Sequence, residues 1–175
     1  MYWLTDSFEA IRDFMALGGP VLTVIAFTIF VMWVLIAERI LFFRSTMKTM
    51  AREIRDSWES RPERRSWNAQ QIRELMISRF SQSTNKGIAM IQTLVALCPL
   101  LGLLGTVTGM ISVFQVLAVS GSGNVRAMAA GVSQATVPTM AGMVGALSGV
   151  LLVTLLSRRA AREVEFLEDS LTMDH

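Results

Sequence analysis

The sequence predicts an all-α integral membrane protein with three transmembrane helices, N-terminus out and C-terminus in, and helices extending into the cytoplasm. Three observations carry that prediction. Stretches free of Asp, Glu, Lys and Arg run from Phe14 to Ala37 (24 residues), Gly87 to Val125 (39) and Ala127 to Ser157 (31). Each exceeds the about 20 residues a helix needs to cross a bilayer. Of the 175 residues, 52% are hydrophobic and only 17% charged, against about 25% charged in soluble domains, and the mean hydropathy is +0.47. The charges are also sorted. Glu38 to Lys86 holds 11 Lys/Arg and 6 Asp/Glu, whereas the first 17 residues hold one Arg against three acids. Basic loops stay on the cytoplasmic side. That rule puts the hairpin and the segment opening with Arg158, Arg159 and Arg162 inside, and the N-terminus and the connection around Ser120 to Arg126 outside.

The elements follow in order. Residues 1–18 form a periplasmic amphipathic segment, with Trp3 and Phe8 suited to the interface. The first transmembrane helix, 19–43, opens at Gly19-Pro20, because proline at an early helical position lacks only an N–H that would be unpaired anyway. Asp6, Glu9 and Asp13 before the apolar run and Glu38-Arg39 after it are unlike a cleaved signal peptide, so this span is expected to stay in the mature protein. Residues 44–86 read as a cytoplasmic helical hairpin broken at Arg61-Pro62. Its second helix is expected from Asn68, with Gln71 three residues later completing a capping box. Leu75, Met76 and Phe80 then recur at helical spacing, so this helix is expected to run straight into the second span, 87–119, where Pro99 should kink it. A short periplasmic turn (120–128), the third span (129–157) and a cytoplasmic C-terminal helix (158–175) complete the chain.

Several functions are excluded on residue types alone. There is one cysteine, Cys98, and one histidine, the terminal His175, so a Cys/His metal site has no ligand set. Cys98 reads as a small buried hydrophobe, and no cofactor is implied. The basic hairpin has neither a glycine-rich phosphate loop nor an aromatic platform, so nucleic acid is not an expected partner; the charges read as a solvated surface beside membrane lipid. What remains outside lipid is too polar and short for a separate enzyme with a deep core, and no nucleophile–base pair is present. The protein is expected not to be an enzyme. None of the three spans carries Asp, Glu, Lys, Arg or His near its middle. If protons cross here, a partner must bring the titrating group.

The second and third spans are rich in small and hydroxyl residues. Gly105 and Gly109, and again Ala141, Gly145 and Gly149, recur at four-residue spacing, which lets helix backbones approach closely in lipid. Taking the turn as centred between Ser122 and Gly123, Thr106 lies 16.5 positions before it and Thr139 16.5 after. An antiparallel hairpin therefore sets both hydroxyls at one depth, within about 25 Å of the turn. Thr136, Thr139 and Ala135 share one face, as do Gly102, Thr106 and Gly109. Such stripes suit a lumen; equally, each hydroxyl can bond the carbonyl four residues back and contribute only packing. Gln134 is expensive in hydrocarbon and should face another helix or a wet cavity.

Gly102 to Met110 (Gly-Leu-Leu-Gly-Thr-Val-Thr-Gly-Met), Gly131 to Gly142 and the Glu38-Arg39 pair resemble the MotA/TolQ/ExbB proton-channel family. Within it the chain looks most like a short ExbB-type subunit of a TonB energising system in the bacterial inner membrane. The resemblance implies a homopentamer whose second and third spans line a pore. That pore holds the helices of an ExbD-like single-span partner dimer, whose aspartate carries the proton; a TonB-like protein passes the energy on, as in siderophore uptake. The family's pore threonines fall on Thr106 and Thr139, and its third-span glutamate falls on Gln134, which cannot titrate. Thr106, Thr139, Thr136 and Gln134 are thus the expected proton-pathway residues, and Gly102, Gly105, Gly109, Gly142, Gly145 and Gly149 the expected packing residues. A TolQ-like or other stator-type motor subunit, or a passive oligomeric scaffold, are the alternatives.

Overall fold

A computed structural model describes residues 2–64, 66–120 and 125–172. The expected turn centre at Ser122 and Gly123, the side chains of Trp3 and Phe8 and the last three residues lie outside the described residues. Five helices follow one another: α1 (Tyr2–Arg44), α2 (Thr46–Glu59), α3 (Trp67–Asn85), α4 (Ile88–Ser120) and α5 (Val125–Ser170). Among the described residues there are no strands, and three helical stretches are long and apolar enough to cross a membrane. The expected all-α class with three membrane-length helices holds.

Local chemistry accounts for the helix boundaries. In α1 the helical backbone is interrupted at Gly19 (φ 65, ψ −165), and Pro20 opens the stretch that follows. Proline has no N–H to donate back across that interruption, and a positive φ is readily adopted only by glycine. The start of α3 differs from expectation. Ser66, not Asn68, is its N-cap, in extended conformation with its hydroxyl accepting from the Ala69 N–H. Asn68 lies two residues too far in, at the second helical position, because Ser66 already satisfies the orphan donor. Nor does α3 run into α4. The two are separated at Lys86 (ψ 130) and Gly87 (φ 83), a left-handed step that apolar periodicity does not register. α4 passes through Pro99 and α5 through Pro138. α5 is helical from Val125, inside the expected turn, and continues without a break through Arg158 to Ser170. Its 46 residues amount to about 69 Å of helix, far more than the about 30 Å of hydrocarbon.

The chain divides into two compact units. The first comprises residues 1–33 and 93–150. Its interior is built from Leu22, Ile25 and Met32 of α1, Val95, Cys98 and Val113 of α4, and Ala135, Pro138 and Ala146 of α5. Large apolar side chains face outward all round: Phe27, Phe30, Leu103, Phe114, Val144 and Leu147 are each 60% exposed or more. Such a surface suits lipid or further protein rather than water.

The second unit comprises residues 34–92 and 151–175. Ile36, Phe43, Met47, Trp58, Phe80, Ile91, Leu167 and Leu171 form its core. The C-terminus of α5 is tied down by side chains from the other helices. Arg73 of α3 donates from Nε to the Leu171 carbonyl (2.7 Å) and from Nη2 to the Glu168 carbonyl (2.8 Å), and the Trp58 indole N–H donates to the Thr172 carbonyl (3.0 Å). A guanidinium suits the negative end of a helix, where the last carbonyls have no intrahelical donor. Arg39, only 5% exposed, stands over the Phe42 ring (4.9 Å) and donates to the Ser83 carbonyl (3.4 Å), close beside Gly87.

Candidate functional site

The first unit holds the stretch that the sequence singles out. Gly102, Gly105 and Gly109 are all buried on one face of α4 and turned toward α5. A Cβ at Gly102 would stand 3.0 Å from the Thr139 Cα, and one at Gly109 only 2.5 Å from the Ala135 Cα; at Gly105 it would run into the Pro138 ring. On α5, a Cβ at Gly142 would meet the Cys98 carbonyl oxygen at 2.5 Å. Cys98 thus faces Gly142, Gly102 faces Thr139, Gly109 faces Ala135 and Val113 faces Gly131, the order of an antiparallel pair. The missing side chains let the two backbones touch. Gly145 belongs to a different contact, abutting the end of Ile29 in α1, whereas Gly149 abuts both Val95 of α4 and the Met32 thioether of α1.

The hydroxyls are placed as follows. Thr139, half-buried, donates across the helix pair to the Gly102 carbonyl at 2.9 Å. In the α-helical ladder that carbonyl also receives the Thr106 N–H, so the two threonines meet at one backbone oxygen. Thr106, also half-buried, donates to the Leu103 carbonyl of its own helix at 2.7 Å. Thr136 is exposed and donates back to Val132 and Ser133, both at 3.2 Å. Gln134 does not join them. It is half-buried against the Gly19 break of α1, where a Cβ on Gly19 would come within 2.7 Å of its Nε2.

The chemistry follows from the direction of these bonds. A carbonyl has no proton, so in each the threonine must be the donor. With their protons committed, Thr106, Thr136 and Thr139 offer only oxygen lone pairs to anything else that approaches. Neutral acceptors of this kind can receive a hydrogen bond from a carboxylic acid but not stabilise a carboxylate.

Sequence reasoning did not single out the Gly102 carbonyl, the Pro138 ring or Gly19 as members of this arrangement. Gly19-Pro20 within an otherwise apolar run is the signal that marks the last of these.

Residues 39–169, well over half of the chain, match the MotA/TolQ/ExbB proton channel family. Among curated proteins, biopolymer transport protein ExbB-like 1 from Synechocystis sp. is 36% identical over 84 residues. That match covers 46% of this chain and only 33% of the relative. Three membrane-length apolar helices, a glycine-lined hairpin with paired threonines and this match over most of the chain place the protein in the MotA/TolQ/ExbB proton channel family.

Proposed function

We propose that the chain is an ExbB-type subunit of an inner-membrane motor in which the proton motive force energises TonB-dependent outer-membrane transport. In this reading its N-terminus is periplasmic and its C-terminus cytoplasmic, five copies form a ring, and the helices of an ExbD-like dimer occupy the central pore. The 36% identical relative, biopolymer transport protein ExbB-like 1, favours the ExbB branch.

The observation that carries the mechanism is the commitment of the threonine protons to backbone carbonyls at Leu103 and Gly102. A partner aspartate arriving protonated donates its O–H to these oxygens. Once ionised it finds only acceptors and turns away. The layer thereby favours the neutral carboxyl and releases the charged one, coupling proton loss to motion of the partner. One such hydrogen bond is worth about 1 kcal/mol net, less than the about 2.3 kcal/mol a proton releases across 100 mV, so each capture is reversible.

The test is proton flux in vesicles containing the protein with its single-span partner. Thr106→Val and Thr139→Val should each reduce flux, and the double variant should abolish it at equal membrane abundance. Thr139→Ser, which keeps the hydroxyl, should restore most of it. Undiminished flux in the double variant would remove the threonines from the pathway. Absence of partner-dependent flux in the wild type, or a monodisperse monomer in native mass spectrometry, would return the protein to the scaffold reading. Loss of growth on ferric siderophores in a deletion strain separates TonB service from other motors.

A further inference from the structure

In the second unit, the side of α5 where its apolar run ends adjoins α1 along an open groove of about 440 Å³. Ile40, Leu155 and Leu156 form its apolar wall, and Arg158, Arg159 and Arg162 line its other part. Positions 155, 158, 159 and 162 follow helical spacing and so share one face. A second groove, of about 470 Å³, continues from Arg159 past Arg44 and Lys48, with Glu163 beside them. Among the described residues, none of these five cations has a carboxylate within ion-pair distance, and Arg158, Arg159 and Arg162 are exposed. The groove therefore presents a hydrocarbon surface and, next to it, a concentration of unneutralised guanidinium groups.

We propose that this groove is a binding site for an anionic phospholipid, its phosphate held by Arg158, Arg159 and Arg162 and its upper acyl chain laid against Leu155, Leu156 and Ile40. The two chemistries occur in the order a lipid presents them. On α5 the last charge-free residue is Ser157, with Leu155 and Leu156 just before it and Arg158 just after, so apolar wall and cationic floor meet where the hydrocarbon run ends. Guanidinium forks match phosphate oxygens bidentately and lose less in leaving water than an ammonium does. Basic pockets between transmembrane helices are known to hold anionic head groups. A zwitterionic lipid brings its own cation to the same place, which offsets part of the attraction between its phosphate and the arginines. The proposal depends on the membrane-spanning helices and not on proton transport, so the two readings fail separately.

The experiment is native mass spectrometry of the full-length protein from mild detergent, titrated with phosphatidylglycerol or phosphatidylcholine. The wild type should retain phosphatidylglycerol at least tenfold more than phosphatidylcholine. Arg158→Gln/Arg159→Gln/Arg162→Gln should lower phosphatidylglycerol retention at least tenfold. A control with the same charge change elsewhere in this unit, Arg52→Gln/Arg79→Gln/Lys86→Gln, should keep it within twofold. Should the triple variant fail to assemble, the single Arg159→Gln decides the matter: it removes the arginine shared by both grooves and should weaken retention at least threefold. Equal retention of the two lipids would overturn the proposal, as would equal loss in the control, or a wild-type response in both the triple and the single variant. Displacement by inorganic phosphate at concentrations comparable to the lipid would overturn it too, since the apolar wall would then contribute nothing.

Discussion

Adding one methyl group at Gly109 or at Gly145 tests which glycines hold backbone against backbone. A Cβ at Gly109 would stand 2.5 Å from the Ala135 Cα, whereas carbon atoms rest about 3.5–4.0 Å apart. The obstacle is backbone, so α4 and α5 must part by about 1 Å or more. A gap of that size forfeits a quarter to a half of the dispersion energy along the contact, and overpacking of this kind costs about 1–3 kcal/mol. At Gly145 the obstacle is the end of the Ile29 side chain, which can change rotamer for about 0.5–1.5 kcal/mol. Alanine also gains about 1 kcal/mol over glycine in a helix interior at both sites. Taking overpacking at Gly109 near the top of its range, the net expectation is a loss of about 2 kcal/mol for Gly109→Ala and close to zero for Gly145→Ala. The first is about a 30-fold shift in the folded-to-unfolded ratio. Reversible unfolding in mixed detergent micelles, followed by circular dichroism at several denaturant fractions, measures both. Equal losses, or a larger loss at Gly145, would show that the backbone contact between α4 and α5 is not what makes Gly109 necessary.

Two further outcomes follow from individual contacts. Gln134→Ala should leave partner-dependent activity reduced but present, because it removes packing against Gly19, even an interhelical hydrogen bond in a membrane bundle is worth only about 0.6 kcal/mol, and glutamine cannot titrate; complete loss at normal abundance in a flux assay would contradict this. Arg73→Gln removes the guanidinium donating to the Leu171 and Glu168 carbonyls, and should destabilise the second unit by about 1–3 kcal/mol. The readout is faster hydrogen exchange at the C-terminus of α5 and around Trp58, with exchange in the first unit unchanged.

The sequence by itself determined the three membrane helices, because a charge-free run of 24 residues or more has no other low-energy solution for its backbone in lipid. Gly19-Pro20 and Arg61-Pro62 likewise mark breaks through chemistry carried by the residues themselves. The family was legible for the same kind of reason: Gly102 to Met110 is a continuous segment whose glycine and threonine order is visible without folding the chain. What periodicity could not give is the step at Lys86-Gly87, since a single left-handed residue interrupts a helix without altering the apolar pattern around it. The α3 start was misjudged because both Ser66 and Asn68 can cap, and only packing selects between them.

The direction of each threonine bond was also beyond the sequence. Thr106 and Thr139 read alike in the chain, each a hydroxyl with a small-residue stripe around it. Yet Thr139 reaches across to Gly102 while Thr106 turns back on Leu103. That difference arises only when the α4 and α5 backbones come close enough at Gly102 for a foreign carbonyl to compete with a hydroxyl's own helix. Gln134 shows the same limit. Its cost in hydrocarbon was evident from its amide, but that it stands beside the Gly19 break depends on how α1 packs against α5, a contact between residues more than a hundred positions apart in the chain.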